Sequence, residues 1–265
     1  MKSLLKISSL LLSFCFLVMS CSGSDDDDTG NGNGNGQEKP WDKSRTAKVL
    51  VISTLSEGNL FSGTDYTTVV NTVKNTEHAV VLLDRSNVSF TGGAIMANPG
   101  VNVASLSKHI PVFVPVDKGN NTYTGNTVLF DQPIQSLEQR KVTDYCWLMK
   151  QDVNFTSSLV MNFSTVSFNA ESQLDAGVSL IKSSVGNSTL IIGVVKRNLS
   201  SAFESKISES FGKGNYTLEL MKNSDANSVY SIYVLGSPKW KFRELTEATV
   251  SGNIKSFLVQ VEYLK

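Results

Sequence analysis

Short runs of apolar, mostly β-branched residues recur from Ala47 to Tyr263, and they constrain the fold more than any other feature of the chain. Each run has the length of an ordinary strand, and β-branched residues favour strands. The last run alternates apolar and polar residues, as a strand with one buried face does. The ten predicted strands are Ala47–Thr54, Ala79–Asp84, Ile110–Val116, Thr127–Phe130, Tyr145–Met149, Leu159–Ser167, Thr189–Val195, Tyr216–Met221, Val229–Leu235 and Ser256–Tyr263.

Three amphipathic helices are predicted between these strands. They span Tyr66–Asn75, Ala170–Ser184 and Ser201–Phe211, and each has apolar residues at helical spacing on one side. Ser201 and Glu204 form a capping pair at the start of the third helix. Strands in series with a few amphipathic helices predict stacked sheets with helices on the outside.

The amino terminus has the pattern of a secretion signal. Lys2 and Lys6 precede the apolar stretch Leu10–Val18, which is too short to span a bilayer well and ends at small residues. Cys21 follows directly, and the arrangement resembles a bacterial lipobox, whose cysteine thiol is acylated. We therefore expect residues 1–20 to be removed, leaving a lipid-anchored protein that begins at Cys21.

Residues 21–40 have the composition of a flexible tether. Asp25–Asp28 repel one another, and a Gly/Asn repeat follows from Gly30 to Gly36. An acidic block just after a lipidated cysteine resembles the surface-export signal of lipoproteins in the Bacteroidetes group. It predicts a protein anchored in the outer membrane and exposed on the cell surface. The alternative is a plain spacer on a periplasmic lipoprotein.

Residues 41–265 are enough for one sizeable domain, and no internal linker divides them. Of the chain's 24 Lys and Arg and 24 Asp and Glu, the domain keeps 21 and 19. This near neutrality gives no long-range attraction to nucleic acid, so we expect no such partner. Cys146 has no intrachain partner once Cys15 and Cys21 are accounted for. Its apolar neighbours predict a buried, unreactive thiol.

The order of the strands and helices, read together with the residues that end and join them, is informative. Lys48–Ser53 is an opening strand, a helix follows, and Val80–Arg85 is a strand that ends in a carboxylate. Tyr123–Ile134 is similar to a Gly-Asn-Ala-Ile-Leu-Ser run, followed by Pro-Ile, that is found in the family named below. Further matching segments are Val160–Val166, Thr189–Lys196, Val229–Pro238 and Ser251–Asn253. In this order and hydrophobic pattern, over nearly the whole domain, the chain resembles the endonuclease/exonuclease/phosphatase superfamily, which has the deoxyribonuclease I-like fold.

The resemblance implies an α+β fold, a two-sheet β-sandwich flanked by helices in four layers, α/β/β/α. Members of the superfamily cleave phosphate esters with a divalent metal held by carboxylates and a histidine that moves the proton of the attacking water. At the matching positions this chain has Ser53, Asp84 or Arg85, Val166, Val194, Lys196, Gly252 and Asn253.

Those substitutions bear directly on the chemistry that the resemblance implies. Valine neither binds a metal nor transfers a proton, and the chain's two histidines, His78 and His109, lie away from the family's catalytic positions. We therefore expect a pseudoenzyme with no catalytic residue, no bound metal and no cofactor. Trp240, flanked by Lys239 and Lys241, is the residue best suited to an exposed contact with a ligand.

Three functions remain open. The favoured one is a lipid-anchored surface protein whose non-catalytic domain binds an unknown protein or glycan. Its alternative is a metal-dependent phosphodiesterase or nuclease with a site rebuilt from carboxylates such as Glu57 and Asp84. The third is an unrelated accessory lipoprotein that binds glycans for an uptake system.

Overall fold

Two mixed β-sheets face each other in the computed structural model, which describes residues 42–61, 66–91, 94–156, 159–221 and 228–265. The predicted signal and tether, with Cys21, lie outside the described residues, as does Trp41. The strands are β1 (Thr46–Ser53), β2 (Val80–Leu83), β3 (Val88–Thr91), β4 (Ala94–Ala97), β5 (Ile110–Lys118), β6 (Thr122–Phe130), β7 (Leu137–Lys141), β8 (Trp147–Thr156), β9 (Leu159–Thr165), β10 (Thr189–Lys196), β11 (Thr217–Met221), β12 (Tyr230–Gly236), β13 (Trp240–Ser251) and β14 (Ile254–Tyr263). The helices are α1 (Tyr66–Asn75), α2 (Pro99–Ser107), α3 (Leu174–Ser184) and α4 (Ser200–Phe211).

Each sheet contains one parallel pair of strands near its middle. The larger sheet has the order β13-β14-β1-β2-β6-β3-β4, with β5 also paired to β6, and β1 runs parallel to β2. The smaller sheet has the order β11-β12-β10-β9-β8-β7, and β9 runs parallel to β10. The carboxyl ends of parallel neighbours lie at the same edge of a sheet, so the residues that follow β1 and β2 are brought together.

Three apolar clusters hold four layers together. The central cluster lies between the sheets and includes Val51 and Ile192. A second packs α3 and α4 on the outer face of the smaller sheet, and a third packs α1 and α2 on the outer face of the larger one. Strand β1 is buried over most of its length because both of its faces are covered. The predicted four-layer sandwich is confirmed.

Every one of the ten predicted strands overlaps an observed strand, and α1 has the predicted bounds. In β14, Phe257, Val259 and Val261 are buried as predicted. The capping pair at Ser201 is wrong, because α4 begins at Ser200 and Leu199 occupies its N-cap position without a side-chain hydrogen bond. Elements that the sequence did not predict are α2, β3, β4, β7 and β13. No helix in the described ranges is long and apolar enough to cross a membrane.

Candidate functional site

A buried polar cluster lies where β1 and β2 end. Ser53 is the last residue of β1, Asp84 directly follows β2, and both are almost fully buried. The Ser53 hydroxyl donates a hydrogen bond to Asp84 Oδ2 over 2.5 Å. We call Ser53, Asp84, Arg85, Asn126 and Ser167 the polar pole. The family resemblance had indicated its first two members, and the structure brings them into contact.

Arg85 places a buried cation in the polar pole. Its Nη2 donates to Asp84 Oδ2 over 2.9 Å, and its guanidinium carbon lies 3.7 Å from the centroid of the Tyr230 ring. The other two guanidinium nitrogens, Nε and Nη1, are buried and have no hydrogen-bond partner among the described residues. A buried N–H without an acceptor costs about 1–3 kcal/mol, and more on a charged group. One edge of this guanidinium is therefore open to a further acceptor.

Asn126 and Ser167 tie the two sheets together at the polar pole. Asn126 Oδ1 accepts from the backbone N–H of Arg85 over 3.0 Å, and Asn126 Nδ2 donates to Ser167 Oγ over 2.8 Å. Ser167 Oγ also accepts from the backbone N–H of Val194 over 3.1 Å. Neither was identified as a site residue from the sequence. Asn126 belongs to the matched run Tyr123–Ile134 and lies within β6.

A second ion pair lies on the exposed side of the polar pole. Lys196 Nζ donates to Glu57 Oε1 over 2.9 Å, which lowers the pKa of Glu57 and raises the pKa of Lys196. Both side chains are substantially exposed, so the pair contributes little to stability. An open depression beside it is lined by Lys196, Arg197, Asn198 and Val229. Two cationic side chains thus line the solvent side of the site.

The segment Thr54–Phe61, between β1 and α1, contacts the polar pole. Leu55 is buried, and its carbonyl accepts hydrogen bonds from the backbone N–H groups of Val229 and Tyr230. The backbone N–H of Leu60 donates to the carbonyl of Arg85 over 2.9 Å. Leu55 and Arg85 both have φ of 50°, a left-handed conformation that costs a non-glycine residue about 1–3 kcal/mol. Strained backbone therefore lies on both sides of this contact.

The polar pole does not fit the divalent ion that the fold family uses. Asp84 already accepts from Ser53 and Arg85, and Glu57 is paired with Lys196. A hard divalent cation needs several oxygen ligands, with carboxylates among them. No group of three or more His, Cys, Asp or Glu side chains with metal-binding geometry occurs in the part of the chain that the structure describes. The observed donor set is suited to an anion.

The remaining predicted site residues lie near the same end of the sandwich in different settings. Val166 is buried, and its carbonyl accepts from the Tyr233 hydroxyl over 2.7 Å. Val194 contributes only its backbone N–H to the network. Asn253 is exposed in the turn between β13 and β14. These geometries do not test the assignment of the three residues to family positions, which stays a prediction.

The prediction that Trp240 is an exposed contact residue is wrong. Its side chain is 2% exposed and belongs to the central apolar cluster. Trp240 begins β13, lies opposite Tyr263 of β14, and packs edge-on against that ring with centroids 5.0 Å apart. Strand pairing therefore turns the indole inward despite the basic residues that flank it.

Cys146 is buried as predicted. Its thiol is free and lies in the apolar cluster beneath α3 and α4. Burial raises the pKa of the Cys146 thiol to about 12, so the reactive thiolate is scarce near neutral pH. The thiol is a packing group.

Comparisons with known proteins identify the fold. No family model matches the chain, and no curated protein matches its sequence. An endonuclease/exonuclease/phosphatase family protein from Leptotrichia buccalis matches with a TM-score of 0.60 at 12% identity, over 82% of this chain and 100% of that chain. A protein of the same description from Beutenbergia cavernae matches with a TM-score of 0.59 at 10% identity, over 83% and 72%. The domain thus has the deoxyribonuclease I-like fold.

A third solved structure corrects the prediction that the domain is not an enzyme. ANGEL2, described as a 2′,3′-cyclic phosphatase, matches with a TM-score of 0.54 at 10% identity, over 82% of this chain and 95% of that chain. Because a phosphatase has this fold, the prediction of a pseudoenzyme is contradicted. At this identity the likeness concerns the fold alone.

Proposed function

We propose that this protein is an exported, lipid-anchored protein whose domain binds phosphate esters at the polar pole. The observation that carries the proposal is the pair of buried, unpartnered nitrogens on Arg85, Nε and Nη1. Nε–H and Nη1–H lie on different sides of the planar guanidinium, and Nη2 lies between them with two N–H groups. One of these Nη2–H groups can join Nε–H or Nη1–H in a planar fork that matches two oxygens of a phosphate. Asp84 accepts a hydrogen bond from Nη2 and so orients the guanidinium.

The surroundings of Arg85 favour an anionic ligand of small size. Lys196 and Arg197 line the open depression beside the pole and attract a negative charge. The domain as a whole is near neutral, with 21 basic and 19 acidic residues in 41–265, so the attraction is local. A phosphate group on a small molecule suits this distribution better than a nucleic acid.

Access to Arg85 requires local opening, because Arg85 is 5% exposed. We infer that the adjoining segment Thr54–Phe61 moves, since its Leu60 N–H donates to the Arg85 carbonyl. Leu55 has an unfavourable φ, and its carbonyl is held by backbone hydrogen bonds from Val229 and Tyr230. Moving the segment breaks those bonds and relieves the strain. A phosphate that then pairs with the open fork supplies the acceptor that the guanidinium lacks. Binding and opening are therefore coupled.

Isothermal titration of the protein with inorganic phosphate tests the proposal. Lys196→Met should weaken binding roughly fivefold, because one charge-assisted contact is lost. Lys206→Met is the matched control. Lys206 is also a lysine paired with one carboxylate, Asp175, and its side chain is 29% exposed against 31% for Lys196. The control should bind phosphate like the wild type.

A second variant tests the fork itself. Arg85→Lys keeps the charge but loses the paired N–H geometry, so phosphate binding should fall at least tenfold while the melting transition stays cooperative. Phosphate binding that is equal in wild type and Arg85→Lys would sink the proposal. So would a wild-type protein that binds no phosphate at millimolar concentrations.

Hydrolysis of a phosphate ester at the same pole is the second candidate. It is favoured by the contact between the Ser53 hydroxyl and Asp84, a carboxylate able to accept the hydroxyl proton. Turnover of bis(p-nitrophenyl) phosphate and adenosine 2′,3′-cyclic phosphate should then be measured beside the titrations. Turnover that Ser53→Ala abolishes supports this candidate, and binding without turnover leaves the first one standing.

Trp240 does not support a glycan-binding role, because its side chain is buried and cannot contact a ligand. Anchoring through Cys21 and exposure on the cell surface remain part of the proposal. They rest on the order of basic residues, apolar stretch, cysteine and acidic block at the start of the chain.

A further inference from the structure

The chain's two histidines meet at the end of the larger sheet opposite the polar pole. His78 lies two residues before β2, and His109 lies directly before β5. Val80 of β2 and Ile110 of β5 are both paired with Phe130, the last residue of β6. The strand register therefore brings His78, His109 and Asp131 to one edge of the sheet.

The two imidazole rings point at each other through Nε2. The Nε2 atoms are 3.1 Å apart, the ring centroids are 5.3 Å apart, and the ring planes differ by 23°. The centroid separation exceeds the nitrogen separation by 2.2 Å, which is about one ring radius for each ring. The two Nε2 atoms therefore lie close to the line that joins the two ring centroids. This is the geometry of an N–H···N hydrogen bond.

The outer nitrogen of each ring already carries a proton. His78 Nδ1 lies 2.6 Å from the carbonyl oxygen of Thr76, and His109 Nδ1 lies 2.9 Å from that of Ser107. A carbonyl oxygen only accepts, so both Nδ1 atoms donate. The Ser107 hydroxyl donates to the carbonyl of Val103, so its oxygen too acts as an acceptor toward His109. If both rings were neutral, two Nε2 lone pairs would face each other.

We propose that His78 and His109 form a proton-binding site that holds one shared proton between their Nε2 atoms. His109 carries the charge and donates Nε2–H to the neutral ring of His78. Burial lowers the pKa of His78, which agrees with its role as the neutral acceptor. The pair then has a charge of +1 and every ring nitrogen has a partner.

The neighbouring charges are compatible with one bound proton. Asp131 is close enough to favour the charged form of the pair electrostatically. Glu77 is paired with Lys48, and Lys108 precedes His109 in the chain. An open cavity beside the pair is lined by Lys43, Lys48, Glu77, His78 and Asp131. Protons therefore reach the pair from solvent.

A metal ion fits the pair less well than a proton. Two imidazole ligands of one zinc ion converge on it at a near-tetrahedral angle, whereas these rings are nearly in line. Among the described residues, no third His, Cys, Asp or Glu completes a metal-binding group. The structure assigns the site to a proton.

The shared proton links two parts of the outer helical layer. His78 follows α1 and His109 follows α2, and these helices pack against each other. Lys108 ends α2 with φ of 63°, and the N–H of His109 donates to the carbonyl of Ala104, which fixes the direction of the His109 backbone. The link exists only when the pair holds one proton. It is therefore sensitive to pH.

On the acid side, the pKa of His78 determines how the contribution of the link to stability changes with pH. This pKa in the folded chain is below the ordinary value of 6.5, so the unfolded chain binds more protons as the pH falls below that value. The contribution of the link to stability therefore decreases as the pH falls from about 6.5 through the folded pKa of His78. On the alkaline side the contribution is lost when the shared proton dissociates.

Melting temperature measured against pH for the full chain tests the proposal. His78→Phe keeps a planar ring and removes the acceptor, and His109→Phe removes the donor. Each variant should lower the Tm by about 3–12 °C near the pH of greatest difference, and the difference should shrink on both sides. The double variant should lose no more than either single one, because they break the same bond.

Three outcomes would overturn the proposal. A Tm difference that is the same at every pH would mean that the rings contribute packing alone. Saturable binding of Zn²⁺ that raises the Tm and is lost in both variants would assign the site to a metal. Long-range ¹H–¹⁵N spectra of the histidine rings that show no protonated Nε2 at the pH of greatest difference would exclude the shared proton.

Discussion

Asp84→Asn should destabilise the domain strongly, because it removes the counterion of a buried cation. The side chains of Asp84 and Arg85 are 3% and 6% exposed, and their hydrogen bond is 2.9 Å long. Removing one partner of a buried ion pair costs about 3–5 kcal/mol. For a domain of this size, each kcal/mol lowers the Tm by about 2–4 °C, so the expected fall is roughly 6–20 °C. Asparagine keeps the side-chain volume, so packing changes little.

A double variant separates the charge effect from packing. Asp84→Leu with Arg85→Met replaces the pair by apolar side chains of similar volume, and its Tm should fall less than that of Asp84→Asn. Thermal and urea unfolding measured on all variants give the comparison. An Asp84→Asn protein that melts like the wild type would refute the buried pair. The single variants Asp84→Leu and Arg85→Met complete the comparison. A double variant whose loss of stability equals the sum of their two losses would refute the coupling between the two residues.

Other expectations concern the anchor, the core and the thiol. Cys21→Ser should release the protein from the detergent phase in a partitioning assay, because the acyl chains are lost, and unchanged partitioning would refute the lipobox. Phe257→Ala should cost about 3–5 kcal/mol in urea unfolding, since Phe257 is fully buried between the sheets, and a loss below 1 kcal/mol would contradict that position. Cys146 should not react with a thiol reagent at about pH 8 until the protein is unfolded, because the pKa of its thiol is raised to about 12.

The strands and helices that the sequence predicted are those with strong local patterns. Strand β14 alternates buried and exposed residues, and α1 has an apolar stripe, so each carries its own signal. Helix α2 contains Pro99, Gly100 and two valines, which are poor helix formers. Gly100 is required there because a Cβ would lie 2.1 Å from Thr127 Oγ1 of β6. That requirement arises only once the helix packs on the sheet.

Strand β13 was not predicted from the sequence for a different reason. It lies at the edge of the larger sheet, and most of its residues are only partly buried or exposed. It therefore lacks the continuous apolar run by which the other strands were predicted. The missed β13 also explains the error at Trp240, whose burial depends on pairing with β14. Local sequence has no signal for such a partner.

The candidate site was predicted in part for the same reason. Ser53 ends β1 and Asp84 directly follows β2, the parallel neighbour of β1, and that position alone brings them together. Arg85 was noted only as an alternative to Asp84, and its stacking on Tyr230 joins residues 145 positions apart in the chain. Its two unpartnered nitrogens follow from the absence of a nearby acceptor among the described residues, which only three-dimensional packing determines.

The side-chain Nε–Hε signal of Arg85 gives the most direct test of phosphate binding at the polar pole. The signal is assigned by its loss in Arg85→Lys and followed in ¹H–¹⁵N spectra while inorganic phosphate is added. We predict a saturable shift of this signal with the Kd found by calorimetry, since Nε is one of the two unpartnered nitrogens. Saturable phosphate binding that leaves the Arg85 signal unmoved would contradict the account.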